Sequence, residues 1–389
     1  VAVTAAGVIS PLGGNLAETL ETLKAGRDCV AHVGVFDVSK CRSTTAGQVD
    51  DAKFADMSGR KPERLHRASR MMITAMRELV AQDAGFVPEF AVIGTTSGGM
   101  SFGEQFFRSI LAGGSRRRHA AWLANYLPQK PVQDALEAAR FSVPCQIMAN
   151  ACASGTNAIG HAFSLVRSGK FRRVICGGYD AISELVFVGF DSLQASTPER
   201  CRPFDKNRTG LVLGEGAALF ALESWEGAMR RGARVLAEVT GYGISTDNFH
   251  LTQPHPSGEG PYLAMRGALE SARLEPGDIH YINAHGTATP FNDATEGTAI
   301  ARLFGRTPVS STKAMMGHAL GAAGAIEAAV CLLALQHQFM PPNINYREPD
   351  PQWSLDIVAN EARPARLGRI ISNSFGFGGT NATIVVEKP

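Results

Sequence analysis

Short runs of β-branched residues alternate with alanine-rich stretches of helical spacing along this whole chain, and that alternation leaves few architectures open. Residues 91–94, 173–177, 281–283 and 369–372 read as buried strands. Residues 65–84, 155–168, 261–272, 294–304 and 324–335 read as helices between them. A chain ordered this way predicts α/β layers with helices covering the sheets. At 389 residues it can bury a large core, and no low-complexity tract or long linker interrupts it. A faint internal echo is present. Cys152-Ala153-Ser154-Gly155 opens a small-residue helix ending near Arg167, and Gly317-His318-Ala319-Leu320-Gly321 opens another over 322–335. A repeat with two buried central helices fits this echo, and so does chance likeness between two Ala-rich helices.

Charge and cysteine usage narrow the function. Thirty-eight bases against 36 acids leave a net charge of +2, which excludes a surface built to coat nucleic acid but leaves room for a local basic patch. Seven cysteines, odd in number and scattered, form no CxxC pair, which argues against a zinc ribbon or a disulfide scaffold and for reducing cytoplasm. No apolar run is expected to span a membrane at the ~18 residues required. Residues 1–4 read as strand, not signal peptide, and the missing initiator Met points to a lost short leader. The chain ends three residues after Val386 and is expected to be freestanding.

Four segments carry candidate chemistry. Asn150–Asn157 places Cys152 at a strand-to-helix elbow, where helix amides and dipole stabilise a thiolate; a packing cysteine fits the same position. Asn283–Pro290 places His285 at a strand's carboxyl end, with Asp293 and Glu296 opening the next helix. A metal site from His280, His285, Asp293 and Glu296 has no defensible ligand spacing. Ser311–His318 sets Lys313 five residues before His318 on an apolar loop, each open to a bland reading as surface lysine and core histidine. Asn373–Asn381 brackets Phe375 and Phe377 with glycines. No Walker or GxGxxG fingerprint is present, so a dinucleotide oxidoreductase is set aside.

Together, Cys152 in ACASG, His285 in NAHGTAT, Lys313 and His318 in STKAMMGHALGAAG, the NSFGFGGTN tail, Arg202-Pro203-Phe204-Asp205 and Gly214-Glu215-Gly216 resemble the elongating β-ketoacyl-[acyl-carrier-protein] synthases, in one order over almost the whole chain. The resemblance implies an α/β thiolase fold: two pseudo-repeated βαβα halves in five α-β-α-β-α layers. Residues 1–230 would carry the cysteine, and 231–389 the two histidines and the lysine. It implies decarboxylative Claisen condensation of an acyl thioester with malonyl-[acyl-carrier-protein] in fatty-acid elongation. A ketosynthase of a specialised polyketide or aryl-polyene pathway is the alternative, since Asn292-Asp293 departs from the usual Gly-Asp and Ala288 from the usual Gly or Ser.

By the same resemblance Cys152 takes the acyl group, and the N–H groups of Cys152 and Phe377 form the oxyanion hole. His285 and His318 hold the enolate, while Lys313 and Glu296 orient them in an internal polar network. Thr287 and Thr289 bind the phosphopantetheine arm of the carrier. Phe375, Phe377 and Phe204 line the pocket and exclude water, and Gly103 sits at the bottom of the acyl channel. Arg60, Lys61, Arg64 and Arg67, with three of them on one helical face, dock the acidic carrier; Arg116-Arg117-Arg118 is a second basic cluster. A homodimer is implied, with a heterodimer as alternative, and no resident cofactor or metal. A thiolase would favour a second cysteine in the tail, and a non-catalytic chain-length-factor-like partner would lack Cys152.

Overall fold

The computed structural model describes residues 1–57, 59, 61–114 and 122–389. Ten strands make one mixed sheet. The first five are β1 (Ala2–Ile9), β2 (Phe90–Gly94), β3 (Cys145–Met148), β4 (Arg173–Asp180) and β5 (Gly216–Glu223). The next five are β6 (Ala237–Thr246), β7 (Tyr281–Asn283), β8 (Val309–Ser310), β9 (Arg369–Gly376) and β10 (Thr380–Glu387).

Their spatial order is β3-β2-β4-β5-β1-β6-β10-β9-β7-β8. Counted outward from the middle, each half runs first, fifth, fourth, second, third strand. The pairing senses repeat too: antiparallel β1/β5 and β5/β4, then parallel β4/β2 and β2/β3, mirrored by β6/β10, β10/β9, β9/β7 and β7/β8. The echo between the two small-residue helices is therefore an internal repeat.

Eight helices matter to the site: α1 (Arg67–Gln82), α2 (Met100–Leu111), α3 (Gln129–Ala138), α4 (Ser154–Arg167), α5 (Glu184–Ser192), α6 (Glu259–Ala272), α7 (Pro290–Phe304) and α8 (Ala323–His337). Helices α1 and α3 cover the outer face of the first half, α6 and α7 that of the second, and α4 and α8 lie between the halves. These are the five layers of the thiolase fold.

Strands buried on both faces read as continuous apolar runs, because each successive side chain meets a different helix layer. In β5, Ala218, Phe220 and Leu222 face the central helices, while Ala217, Leu219 and Ala221 face α1. Helix α8 shows the same logic. The run Leu320–His337 is apolar and long enough to cross a membrane, at mean hydropathy 1.5, contrary to the sequence expectation; 89% of it is buried inside the fold. It is a core helix.

The start of α1 corrects the expected basic helical face. Pro62 opens a separate turn, Pro62–Arg64, and His66 caps α1 by accepting the Ala68 N–H on Nδ1 at 3.0 Å. The helix begins at Arg67, so Arg64 lies outside it, and Arg60 and the 116–118 cluster lie outside the described residues. With Nδ1 occupied, the neutral His66 ring carries its proton on Nε2 and donates to Ser101 Oγ at 2.8 Å. Burial pulls its pKa down to about 4.

Candidate active site

The elbow at Cys152 is built from backbone constraints. Ala151 has φ +53°, a one-turn helix covers Ala151–Ala153, and α4 starts at Ser154. Ser154 Oγ accepts the Asn150 N–H at 2.9 Å and donates to the Ala151 carbonyl at 2.6 Å, which ties the turn shut. Gly155 packs directly on the second half: a Cβ there would lie 2.7 Å from the Gly321 carbonyl oxygen. Cys152 is buried, and burial pushes its thiol up to about 12 against the Lys313 charge and the N–H groups of Phe377 and of Cys152 itself. The elbow position favours a thiolate, and here desolvation outweighs that effect and raises the thiol.

His285 follows β7 at the sheet's carboxyl edge. Glu296 of α7 accepts the N–H groups of His285 and Gly286, both at 2.8 Å, and an Asn373 amide hydrogen at 3.1 Å. Lys313 donates to the His285 carbonyl at 2.7 Å and lies 3.3 Å from its Nδ1. An ammonium donating to Nδ1 leaves the neutral ring's proton on Nε2. Lys313 also bonds Glu327 of α8, and both side chains are fully buried. Lys313 and Glu296 thus meet on His285: Glu296 holds the backbone of its loop, Lys313 its ring and carbonyl, and Glu327, not singled out from the sequence, neutralises the lysine. Burial pushes both carboxyls up to about 7.

His318 is held by its backbone alone. Its N–H donates to the Val212 carbonyl at 2.7 Å, and its carbonyl accepts the Gly214 N–H at 2.8 Å. The ring stands edge-on to His285, centroids 5.2 Å apart at 84°. Both ring nitrogens are buried without a hydrogen-bond partner. Burial, reinforced by Lys313, pulls both histidines well below the usual 6.5.

These groups share one cavity of about 330 Å³, lined among others by Cys152, His285, His318, Thr287, Thr289 and Phe375. The hydroxyls of Thr287 and Thr289 lie 2.9 Å apart. Phe377 also lines the cavity and stacks on Phe190 of α5, centroids 5.4 Å apart at 16°. Phe190 was not singled out from the sequence.

Two expected roles are not met, and a third position lies away from this cavity. Phe204 does not line the cavity; it is fully buried, edge-on to Trp353, with its N–H donated to Asp293 at 2.7 Å. Its backbone, at φ +60°, aims the ring into the core beneath Gly286. Gly103 lies on α2 in a separate apolar groove with Phe107, Leu111, Tyr126, Leu185 and Val188, and a Cβ there would be 2.6 Å from the Tyr126 ring. Arg67 does not present a free charge. Its guanidinium donates to the buried Glu215 at 2.7–3.0 Å, to the Val49 carbonyl and to Asp51. Lys61 and Arg64 are exposed. Among the described residues no group of three His, Cys, Asp or Glu is placed to hold a metal ion.

The neutral histidines set a pH expectation. Any rate that depends on these two rings should stay flat between pH 6 and 8, whereas a fall centred near 6.5 would mean that a histidine titrates there with an ordinary pKa. Unfolded imidazoles bind protons below about 6.5 and these do not, so folding stability should drop as pH falls through that range.

Two family models match the chain: the beta-ketoacyl synthase N-terminal domain over residues 1–228 and its C-terminal domain over 236–347. The ketoacyl synthase alpha subunit of the tetracenomycin polyketide synthase of Streptomyces glaucescens is 36% identical over 419 residues, covering all of this chain and 97% of the relative. The 3-oxoacyl-[acyl-carrier-protein] synthase 2 of Staphylococcus aureus is also 36% identical, over 405 residues, with 100% and 98% covered. Among solved structures, the ishigamide ketosynthase/chain length factor superposes with a TM-score of 0.93 at 34% identity, covering 100% of this chain and 98% of that one. A type II polyketide ketosynthase bound to its acyl-carrier protein, AntDE:AntF, gives 0.89 at 26% identity, covering 100% and 99%.

Proposed function

This chain belongs to the beta-ketoacyl synthase family, and we propose that Cys152, His285 and His318 carry out its condensation of an acyl thioester with malonyl-[acyl-carrier-protein]. His318 carries the reading. A fully buried imidazole with neither nitrogen satisfied, edge-on to a second imidazole in a cavity that a cysteine also lines, is costly unless a substrate supplies the partner.

In the first step the Cys152 sulfur attacks the acyl thioester carbonyl, its C–S bond to the carrier breaks, and the cysteine's proton passes to the carrier thiolate that leaves. The N–H groups of Cys152 and Phe377 receive the oxyanion that forms. Malonyl then loses CO₂, and the negative charge develops on its thioester oxygen. The Nε2 proton of His285 and a ring N–H of His318 are donated to that enolate. Neutral rings suit this task, because they donate without giving up a charge-stabilised proton. The enolate carbon attacks the acyl group on Cys152, the thiolate leaves, and 3-oxoacyl-carrier departs. Lys313 acts through His285 by fixing its tautomer, with Glu327 as counter-charge. Thr287 and Thr289 at the cavity wall are the hydroxyls offered to the phosphopantetheine arm. No resident cofactor enters these steps.

Fatty-acid elongation is the pathway we assign. The specialised-polyketide reading stands beside it on one observation: the tetracenomycin and Staphylococcus relatives are equally identical to this chain. We take the protein to be cytoplasmic and a dimer, either of itself or with a related subunit, with its halves dividing at 230/231.

Carrier docking is assigned to Lys61 and Arg64 rather than Arg67. Removing Arg67 would strand the buried Glu215 carboxylate, at a cost of about 3–5 kcal/mol, so its loss reads as instability. Incubation with acyl- and malonyl-carriers should yield 3-oxoacyl-carrier, with fatty and polyketide carriers compared directly. Arg64→Glu should slow carrier-dependent turnover, most at low salt, and spare small pantetheine substrates. Equal loss with both substrates removes Arg64 from docking, and no product from any carrier overturns the function.

A further inference from the structure

The repeat gives the molecule a second elbow. Leu320, at φ +53°, opens a one-turn helix over Leu320–Ala322, and α8 follows from Ala323, just as Ala151 at φ +53° opens the turn before α4. Gly321 therefore stands where Cys152 stands in the first half. The strand that reaches Cys152 from the other half is β9, whose end leads to Phe377; its counterpart is β4, which ends at Asp180. The loop after β7 carries His285, and the matching loop after β2 carries Thr95, Thr96 and Ser97.

Where the first site presents N–H groups to a cavity, the second is filled by Asp180. Its Oδ2 accepts the N–H groups of Gly321 at 2.7 Å and Thr96 at 2.8 Å. Its Oδ1 accepts Thr95 Oγ1 at 2.8 Å, Ser97 N–H at 2.8 Å and Ser97 Oγ at 2.7 Å. The carboxylate is wholly buried, with five donors among these neighbours. A side chain at 321 would lie 2.6 Å from the Thr96 nitrogen and 2.7 Å from Asp180 Oδ2, so this elbow has room only for glycine.

The lock reaches Cys152 through backbone. The Gly321 carbonyl oxygen sits against Gly155 and Gly178, where a Cβ would be 2.7 and 2.8 Å away, and Gly178 lies two residues before Asp180 on β4. No side chain intervenes to absorb a shift.

We propose that Asp180 is a positioning residue for acyl transfer: its carboxylate occupies the repeat's second oxyanion position, fixes Gly321, and thereby sets the elbow that aims the Cys152 N–H at the thioester oxygen. This rests on Cys152 being the acyl nucleophile.

Asp180→Asn keeps the size but turns an acceptor into a donor facing N–H groups. Acyl loading on Cys152, followed by intact mass, should slow at least tenfold, with the half-saturating carrier concentration unchanged. Alkylation of Cys152 by iodoacetamide, which develops no oxyanion, should not slow. Thr95→Val, which removes no charge but takes away both the hydroxyl donated to Asp180 and the acceptor of the Gly98 N–H, should slow loading several-fold and serves if Asp180→Asn does not fold. Loading within twofold of wild type in a folded Asp180→Asn protein overturns the proposal, or in folded Thr95→Val if only that variant folds. Equal slowing of loading and alkylation overturns it too. A wild-type protein that takes no acyl group on Cys152 instead sinks the reading of the site, and this inference with it.

Discussion

Cys152→Ala is expected to abolish both acyl loading and condensation, with no acyl adduct by intact mass and no 3-oxoacyl product. Thiolate is nucleophile and leaving group in one atom, and none of the other groups placed at this cavity supplies both. Of the remaining cysteines, Cys176, Cys201 and Cys331 are buried, and none lines the cavity. The methyl that replaces the thiol fits the same space, so stability should change by about 1 kcal/mol or less. Malonyl decarboxylation should persist, because His285 and His318 are untouched. A variant that still condenses at the wild-type rate would remove Cys152 from the chemistry.

His318→Ala should give the opposite pattern. Acyl loading on Cys152 proceeds, while decarboxylation and condensation fall on the order of a hundredfold or more, the usual consequence of deleting one positioned donor to a developing oxyanion. The ring makes no hydrogen bond in the fold, so its removal strands no partner, and the backbone bonds to Val212 and Gly214 are kept. Loss of activity without loss of thermal stability is the signature to look for. Normal condensation by the folded variant would end the two-histidine mechanism.

The fold was legible in the sequence where burial is two-sided. Strands such as 173–177 and helices such as 155–168 sit within a few residues of β4 and α4, because continuous apolar runs and alanine-rich spacing mark the inner layers. Cys152, His285 and His318 could be picked out because each stands among small residues at an element boundary, and they do converge on one cavity.

What stayed hidden depends on partners far away in sequence. Glu327 is the lone acid in the apolar run 320–335, and a buried Lys313 in need of a counter-charge was the available signal. Arg67 looked like part of a solvated basic face because Glu215 stands 148 residues away. Phe204 failed because side-chain direction follows from local backbone angle and packing, which a motif does not carry. Asp180 closes the end of a glycine-rich strand, a place where an acid has no local reason to be.

The central position of α8 also bears on how the chain is made. Its outer shell comprises β4 and β5, which precede it, and β9 and β10, which follow more than thirty residues later. During synthesis this apolar helix emerges with part of its cover still unmade. Until the closing hairpin arrives, one side of Leu320–His337 faces water, a surface prone to aggregation and to capture by chaperones. A polypeptide cut short before residue 369 would lack both strands and keep that side open.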